Sequence, residues 1–384
     1  MAQTKISCFW NKPDVAGNYE AAVSLHSHTN HSKESLFFIP QFTEKWPLLQ
    51  RALERQARRS PIPVDFARAY WTPPLTAKLA FEVEKKQIEN LLGLAGLVSL
   101  TDHDTIEAPA LLRAVPETRG TPFSLEWSVP FDGAVFHLGI HNLPGSQAQA
   151  IVADLAAYTQ NPSGRLLLEL LAMLDGSPDV LIVFNHPLWD LCGIGQQRYG
   201  QGLQRFLQCN ARFLHAFELN ATRGRKENNG VIDLAGHWQR LLISGGDRHG
   251  CEPSGALNLT SAKCFSEFVR EVRLEQRSHV LFMPQYAEPM ILRTTQAVLD
   301  VIREYPEYGP GCRRWDDRVF HPNLARTTDQ PLSTLWKAPP AYIEQILSVI
   351  RLLENVALRR MLTHVLKGEG DLHLPKDMAY EGTL

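Results

Sequence analysis

The chain predicts an α/β fold, because short apolar runs alternate with stretches of helical periodicity and because most of those runs are continuous, not alternating in polarity. Continuous apolar strands are covered on both faces, as in a sheet flanked by helices. In order, the strands are expected at Ala22–Leu25, Leu97–Thr101, Pro122–Trp127, Ala134–Ile140, Val180–Phe184, Phe213–Leu219, Leu241–Ser244 and Val280–Met283. Helical spacing falls between them at Glu82–Leu92, Ala148–Thr159, Arg165–Leu174, Gly202–Cys209 and Ser266–Glu275. This succession favours an α/β barrel or a doubly wound sheet.

Two regions exceed a minimal barrel. The segment from about Leu36 to Gly93 mixes aromatic, basic and proline residues between the first two strands. A parallel crossover needs about a dozen residues, so this one carries an insertion. From about Pro284 onward the pattern is mostly helical, clearest at Thr294–Glu304 and Ala341–Leu366. The expected division is a catalytic unit over 15–284 and a helical extension over 285–384.

Bulk properties exclude several classes. A formal net charge of -2 argues against a general nucleic-acid binder, which carries a strong basic excess. The N-terminus lacks the apolar core of a signal peptide. Leu91 to Leu100 is about half the roughly 20 residues of a membrane span. Six scattered cysteines without a C-x-x-C pair are expected to be reduced and buried, which suits a cytoplasmic location.

Chemistry collects at the strand ends. His26 and His28 in L-H-S-H-T follow the first strand, and positions i and i+2 share a side, so both imidazoles can face one cation. S-L-T-D-H-D-T brings Asp102, His103 and Asp104, which are costly to bury unless paired or metal-bound. Glu126 stands between Leu125 and Trp127, His137 lies within F-H-L-G, His186 ends an apolar strand as N-H-P, and Asp247 and His249 lie two apart in G-D-R-H. Taken singly, none is decisive: His26 and His28 also read as two surface histidines, Asp102 to Asp104 as a solvated strand-end loop, Glu126 as a side chain on the wet face of its strand, and His137 as a hydrogen-bonded core histidine. Together they fall at or near the ends of different strands, where α/β barrels build their sites. His26, His28, His103, Glu126, His137, His186, Asp247 and His249 are too many for one ion and suit two or three, and mixed imidazole and carboxylate suits Zn, Mn or Fe, not Ca. The remaining histidines singled out (His215, His237, His279, His321, His364, His373) show no such placement.

In this order the motifs HSH-T, TDHD-T, LEW, FHLG, NHP and GDRH resemble the series of the PHP (polymerase and histidinol phosphatase) family over roughly residues 20 to 260. The resemblance implies a distorted (β/α)7 barrel, here with a helical insertion after strand 1 and a C-terminal helical extension, holding a bi- or trinuclear centre. It implies His26, His28, Glu126 and Asp247 on one ion. Glu126 would bridge to a second ion with His137 and His186, and His103 and His249 would serve a third. One departure stands out: where the family carries an acid or histidine, this chain has Lys33 and Glu34, with His31 nearby. Since a lysine ammonium repels a cation, either Glu34 or His31 takes over as ligand or the third site is weak or empty, and Glu34 is the favoured substitute.

The expected activity is hydrolysis of a small phosphorylated metabolite or nucleotide by a metal-bridging hydroxide, with Glu126 between the ions and Asp247 or His249 relaying a proton. Arg223 and Arg225, after the strand ending at Leu219, are the expected phosphate binders, with Lys226 and Arg248 as further cations. Trp46, Tyr70, Trp71 and the basic run Arg55–Arg59 suggest a lid contacting a base or sugar, or a packing surface. Two other readings stay open: amide or lactone hydrolysis on the same fold, and a non-catalytic PHP-like module, for which Lys33 is the supporting feature.

Overall fold

A computed structural model describes residues 3–36, 68–309, 312–321 and 329–335, together with 51, 55, 344–345, 348, 351–352, 355–365 and 372. Trp46 and most of the basic run Arg55–Arg59 lie outside the described residues, as does most of the span expected to be helical before Val356.

The architecture is mixed α/β. Its strands are β1 (Gln3–Cys8), β2 (Ala21–Ser24), β3 (Glu34–Ser35), β4 (Tyr70–Trp71), β5 (Ala95–Val98), β6 (Phe123–Phe131), β7 (Ala134–Leu143), β8 (Leu181–Asn185), β9 (Ala216–Asn220), β10 (Leu241–Gly245), β11 (Ala256–Thr260), β12 (Arg277–Phe282), β13 (Val319–His321) and β14 (Gln330–Pro331). The helices used below are α1 (Ala77–Gln87), α2 (Glu107–Arg113), α3 (Ala148–Gln160), α4 (Gly164–Asp175), α5 (Gln196–Asn210), α6 (Arg225–Trp238), α7 (Phe265–Arg273), α8 (Met290–Ile302) and α9 (Val356–Val365). All eight strands read from the sequence are present. Six further strands were not read from the sequence, β1, β3, β4, β11, β13 and β14; Gln3–Cys8 is too polar to stand out, and β3, β4 and β14 are only two residues long.

The strands form sheets ordered β1-β12-β11-β2-β5, β10-β9-β8-β7-β6 and β14-β13-β4-β3, none of them closed into a barrel. Pairing is also not purely parallel. β6 and β7 form an antiparallel hairpin, and β11 runs antiparallel to both β2 and β12. The hairpin has a direct local cause: Asp132 and Gly133 take φ values of 53° and 79°, the left-handed pair that a two-residue turn requires. Two isolated bridges nevertheless join the five-stranded sheets, one from just past the edge strand β5 to β6 and one from just past β2 to just past β10. An isolated bridge joins His103 to Glu126, and another joins Ser27 to Arg248.

Two apolar layers hold this arrangement. Val23, Leu25, Leu181, Val183, Ala216, Leu241 and Ile243, drawn from strands of both five-stranded sheets, pack together over Phe265, Phe268 and Val269 of α7. On the other side Trp127, Phe136, Phe184 and Phe217 pack against α3, α4 and α5. Trp127 sets the facing of β6, for its indole N–H donates to the Leu155 carbonyl at 3.2 Å. Successive strand residues point oppositely, so anchoring Leu125 and Trp127 in the helix layer turns Glu126 to the other side. No disulfide forms among the six cysteines. None is buried, contrary to expectation: Cys209, Cys264 and Cys312 are exposed and the others half-buried. Among the described residues no helix is long and apolar enough to cross a membrane.

Beyond Pro284, α8 occupies the first of the two expected helical stretches, and α9 is the described helical part of the second. This segment is not only helical, since β13 and β14 join the four-stranded sheet with β3 and β4.

Candidate metal centre

Nine candidate ligands from the sequence converge on one buried cluster: His26, His28, Glu34, His103, Glu126, His137, His186, Asp247 and His249. They come from the ends of β2, β5, β8 and β10, from the β6/β7 hairpin, and from β3. His26, His186 and Asp247, each just past a strand end, have φ of 62°, 27° and 45°. Left-handed backbone at non-glycine residues costs of order 1–3 kcal/mol each and persists where the surroundings impose it, often at functional sites.

Glu126 is the hub. Its Oε2 lies 3.1 Å from His26 Nε2, 3.3 Å from His28 Nε2 and 3.4 Å from His103 Nε2. Its Oε1 lies 3.2 Å from His137 Nδ1 and 3.1 Å from His186 Nε2. The two oxygens thus face different histidine sets, the arrangement of a bridging carboxylate. Asp247 Oδ1 stands 3.6 Å from Nε2 of both His26 and His28. Glu34 Oε2 stands 3.3 Å from His103 Nε2 and 3.1 Å from His249 Nε2. Donors around a tetrahedral ion with bonds of about 2.0–2.2 Å stand roughly 3.3–3.6 Å apart, so the side chains are spaced for cations.

Two atoms test whether a metal fits. Nε2 of His26 and Nε2 of His28 are buried and make no hydrogen bond. Their other ring nitrogens are engaged: His26 Nδ1 meets Glu218 Oε1 at 2.5 Å, and His28 Nδ1 meets Ser32 Oγ at 3.1 Å. With Nδ1 as the donor, each Nε2 presents a lone pair to the cluster, the tautomer a metal-binding histidine needs. His249 Nδ1 donates to the Asp247 carbonyl at 3.0 Å, which likewise leaves Nε2 facing Glu34. The donor set and the orphaned nitrogens fit divalent cations.

The electrostatics agree. Burial raises the carboxyl pKa of Glu126, but His26, His137 and His103 outweigh it and hold the group well below the ordinary range. Burial likewise opposes, and His26, His28 and His249 override, for Asp247. Burial lowers His26, yet Glu126, Glu218 and Asp247 lift it well above its usual value. The same contest, with Glu34 and Glu126 prevailing, raises His103 to about 10. His137 goes the other way, to about 4, because burial exceeds the pull of Glu126. The carboxylates therefore draw positive charge to this spot, which divalent ions supply more densely than imidazolium does.

Several second-rank readings change. Lys33 turns outward, 63% exposed, with its ammonium 3.2 Å from Asp329 and over the Tyr70 ring, so it does not face the cluster. His31 pairs with Glu107 at 2.9 Å near the surface, and it is Glu34 that enters the cluster. Arg248 is not placed to take a phosphate. It is buried, donating to Glu84 Oε1 at 2.8 Å and to the carbonyls of Gly250 and His28. Asp102 accepts from the Thr29 amide and hydroxyl, and Asp104 from the Ser128 amide, so both brace the loops that carry the ligands.

Arg223 does reach the cluster edge. Its guanidinium lies 3.7 Å over the Trp189 ring, with Nη2 3.6 Å from Asp247 Oδ2. Arg225 instead opens α6 as its first residue and is half-buried, with the exposed Lys226 beside it. Trp71 brings the insertion to the site, its ring 5.7 Å from that of His249, while Tyr70 stacks on Phe320.

The sequence reading missed Glu218. It is 1% exposed and accepts from His26 Nδ1, the His186 amide and Asn220 Nδ2. Gly245 makes room for it, since a β-carbon there would overlap its carboxylate. Asn185, donating to Glu126 Oε1 at 3.0 Å, and Glu84 were missed as well. Glu218 carried the same signal as Glu126, an acid inside an apolar strand.

No family model matches the chain, and no curated protein matches it significantly in sequence. Among solved structures it is similar to a protein from Bifidobacterium adolescentis described as a "putative metal-dependent phosphoesterase", at 13% identity and a TM-score of 0.36, covering 67% of this chain and 96% of that one. It is also similar to an amidohydrolase from Chromobacterium violaceum, solved with bound sulfate and no metal, at 14% identity and a TM-score of 0.34, covering 59% and 87%. Both likenesses are too loose to define the fold of this chain.

Proposed function

We propose that the protein is a metal-dependent hydrolase of PHP type that cleaves an ester of a small phosphorylated compound. The observation that carries this reading is the Glu126 carboxylate, whose two oxygens face separate histidine sets while Nε2 of His26 and His28 stand without hydrogen bonds. The bridge from His103, just past β5, to Glu126 of β6 supports a distorted barrel as the frame.

On this reading His26, His28, Asp247 and Glu126 hold one cation, Glu126 with His137 and His186 a second, and Glu34, His103 and His249 a third, as Zn, Mn or Fe. When bound, such ions supply Lewis acidity toward a phosphoryl oxygen and an acidified water. Arg223 offers a planar cationic fork at the cluster edge, which suits two phosphate oxygens and is what favours phosphorus over an amide carbon. Trp189 lies under that fork, its ring centre 3.7 Å from the guanidinium carbon. The proton relay toward the leaving oxygen is assigned to Asp247 or His249, which lie side by side in the cluster with His249 Nδ1 3.4 Å from Asp247 Oδ1.

The test is phosphate release from a panel of mono- and diesters by manganese-loaded protein, with His186→Ala as control. Release that the substitution abolishes is the expected result. Metal-containing protein that spares every phosphate ester but opens amides or lactones would overturn the phosphoester reading. Protein that holds no metal would overturn the hydrolase reading itself.

A further inference from the structure

We propose that the segment after Pro284 is a clamp for the third cation site, fixing its two peripheral ligands, Glu34 and His249, from outside the cluster. The inference rests on the metal-centre reading above and concerns how one of its sites is held.

The clamp has two arms. In the first, Glu34 belongs to β3, only Glu34–Ser35 long, and so short a strand cannot hold its own conformation. It pairs with Tyr70–Trp71, which in turn pairs with β13, and β13 pairs with β14. The Thr72 amide donates to the Arg318 carbonyl at 2.9 Å, extending the join. Asp329 then accepts from Tyr70 Oη at 2.7 Å and from Lys33 Nζ at 3.2 Å. Lys33 directly precedes β3, and with its ammonium held outward by Asp329 the next side chain, Glu34, faces the cluster. The lysine that departs from the motif is thereby part of the device that delivers its neighbour.

In the second arm, Asp300 of α8 is 2% exposed and accepts from the Cys251 amide at 2.7 Å. A β-carbon at Gly250 would lie 2.6 Å from Asp300 Oδ2, so the helix seats directly on the turn behind His249. Tyr305 Oη donates to the Asp300 carbonyl at 2.7 Å and lies 3.0 Å from Cys251 Sγ. Arg318 couples the arms. From the start of β13 its Nη2 donates to the carbonyls of Val301 and Arg303 at the end of α8. One connected unit therefore touches the supports of both ligands, whereas Glu126, His137, His186 and Asp247 lie on or directly after strands of the five-stranded sheets.

Asp300 and Asp329 are thus positioning residues for one cation site and not for the other two. The experiment strips the full-length protein with chelator, reloads it with Mn²⁺, and measures bound equivalents and stepwise affinities in wild type, Asp300→Ala, Asp300→Asn and Asp329→Ala. The wild type is expected to bind three equivalents. In Asp300→Ala the weakest equivalent should be lost or weakened about 10-fold, the scale of losing a support behind a ligand, with the other two unchanged. Asp300→Asn, which keeps an oxygen for the Cys251 amide, should restore it. Should Asp300→Ala not fold, the part-exposed Asp329→Ala should show the same selective weakening. Wild-type affinities in both alanine variants, equal weakening of all three equivalents, or a wild type that binds only two would overturn the clamp. A wild type that binds none would instead overturn the metal-centre reading.

Discussion

Glu218 Oε1 meets His26 Nδ1 at 2.5 Å, across 192 residues of sequence, and this contact fixes which nitrogen of His26 faces the cluster. A carboxylate behind a ligand histidine sets its tautomer and raises its basicity. Glu218→Gln can satisfy the same geometry but not the charge. It should weaken the cation held by His26 about 10–100-fold, measured by competition with a graded chelator series, while the thermal midpoint changes little. Unaltered affinity would show that Glu218 is only packing.

Asp247 stands between two histidine nitrogens on Oδ1 and the donors Asn220 and Thr222 on Oδ2. Asp247→Asn preserves the shape and removes the charge. Turnover should fall on the order of 10²–10⁴-fold, with an unchanged circular dichroism spectrum. Substantial residual turnover would remove Asp247 from the metal core.

Arg223 should act on binding of the phosphoryl group. Charge-assisted hydrogen bonds contribute about 1.5–3 kcal/mol, so Arg223→Ala should raise KM roughly 10–100-fold for a phosphate ester, with kcat less affected. Equal loss in kcat alone would place the side chain in the chemical step instead.

Glu84 and Arg248 form a pair at 2.8 Å, 0% and 4% exposed, that also gathers the hydroxyls of Ser24 and Ser27 and the Ser254 amide. Removing one partner strands the other charge, so Glu84→Ala should cost about 3–5 kcal/mol in urea unfolding. A change below about 1 kcal/mol would mean that water reaches the arginine.

Away from the cluster, burial lowers His215 and His279 to about 4. Their unfolded value is about 6.5, so between pH 6.5 and about 4 the unfolded chain binds more protons than the folded one. Stability therefore drops as pH falls through that window, and these groups add nothing further below it. In chelator-treated protein, His215→Gln should make the slope of unfolding free energy shallower by at most about 1.4 kcal/mol per pH unit. An identical slope would show that His215 is protonated in the fold.

Much of the centre was legible because its residues break local rules. A glutamate between Leu125 and Trp127, or histidines at an apolar strand end, have no cheap explanation as packing, and their order along the chain added the rest. Glu218 broke the same rule in Phe213–Leu219 and was passed over, since a single buried acid does not announce its partner. Arg248 was misread for the opposite reason: an arginine next to a ligand motif looks like an anion binder, and only the fold shows Glu84 beside it. The Asp132-Gly133 turn, a local signal for an antiparallel hairpin, was likewise readable and was not used.

By itself the sequence determined the α/β class, the eight main strands and the identity of the clustered candidate ligands, because apolar continuity and misplaced charge are local properties. Tertiary structure alone decided that Lys33 faces Asp329 while Glu34 faces His249, that Arg223 and not Arg248 reaches the cluster edge, and that strands run antiparallel at β7 and β11. Each of these depends on which group from a distant part of the chain supplies the opposite charge or the next ladder. Those partners lie tens to hundreds of residues away, beyond the reach of any local pattern.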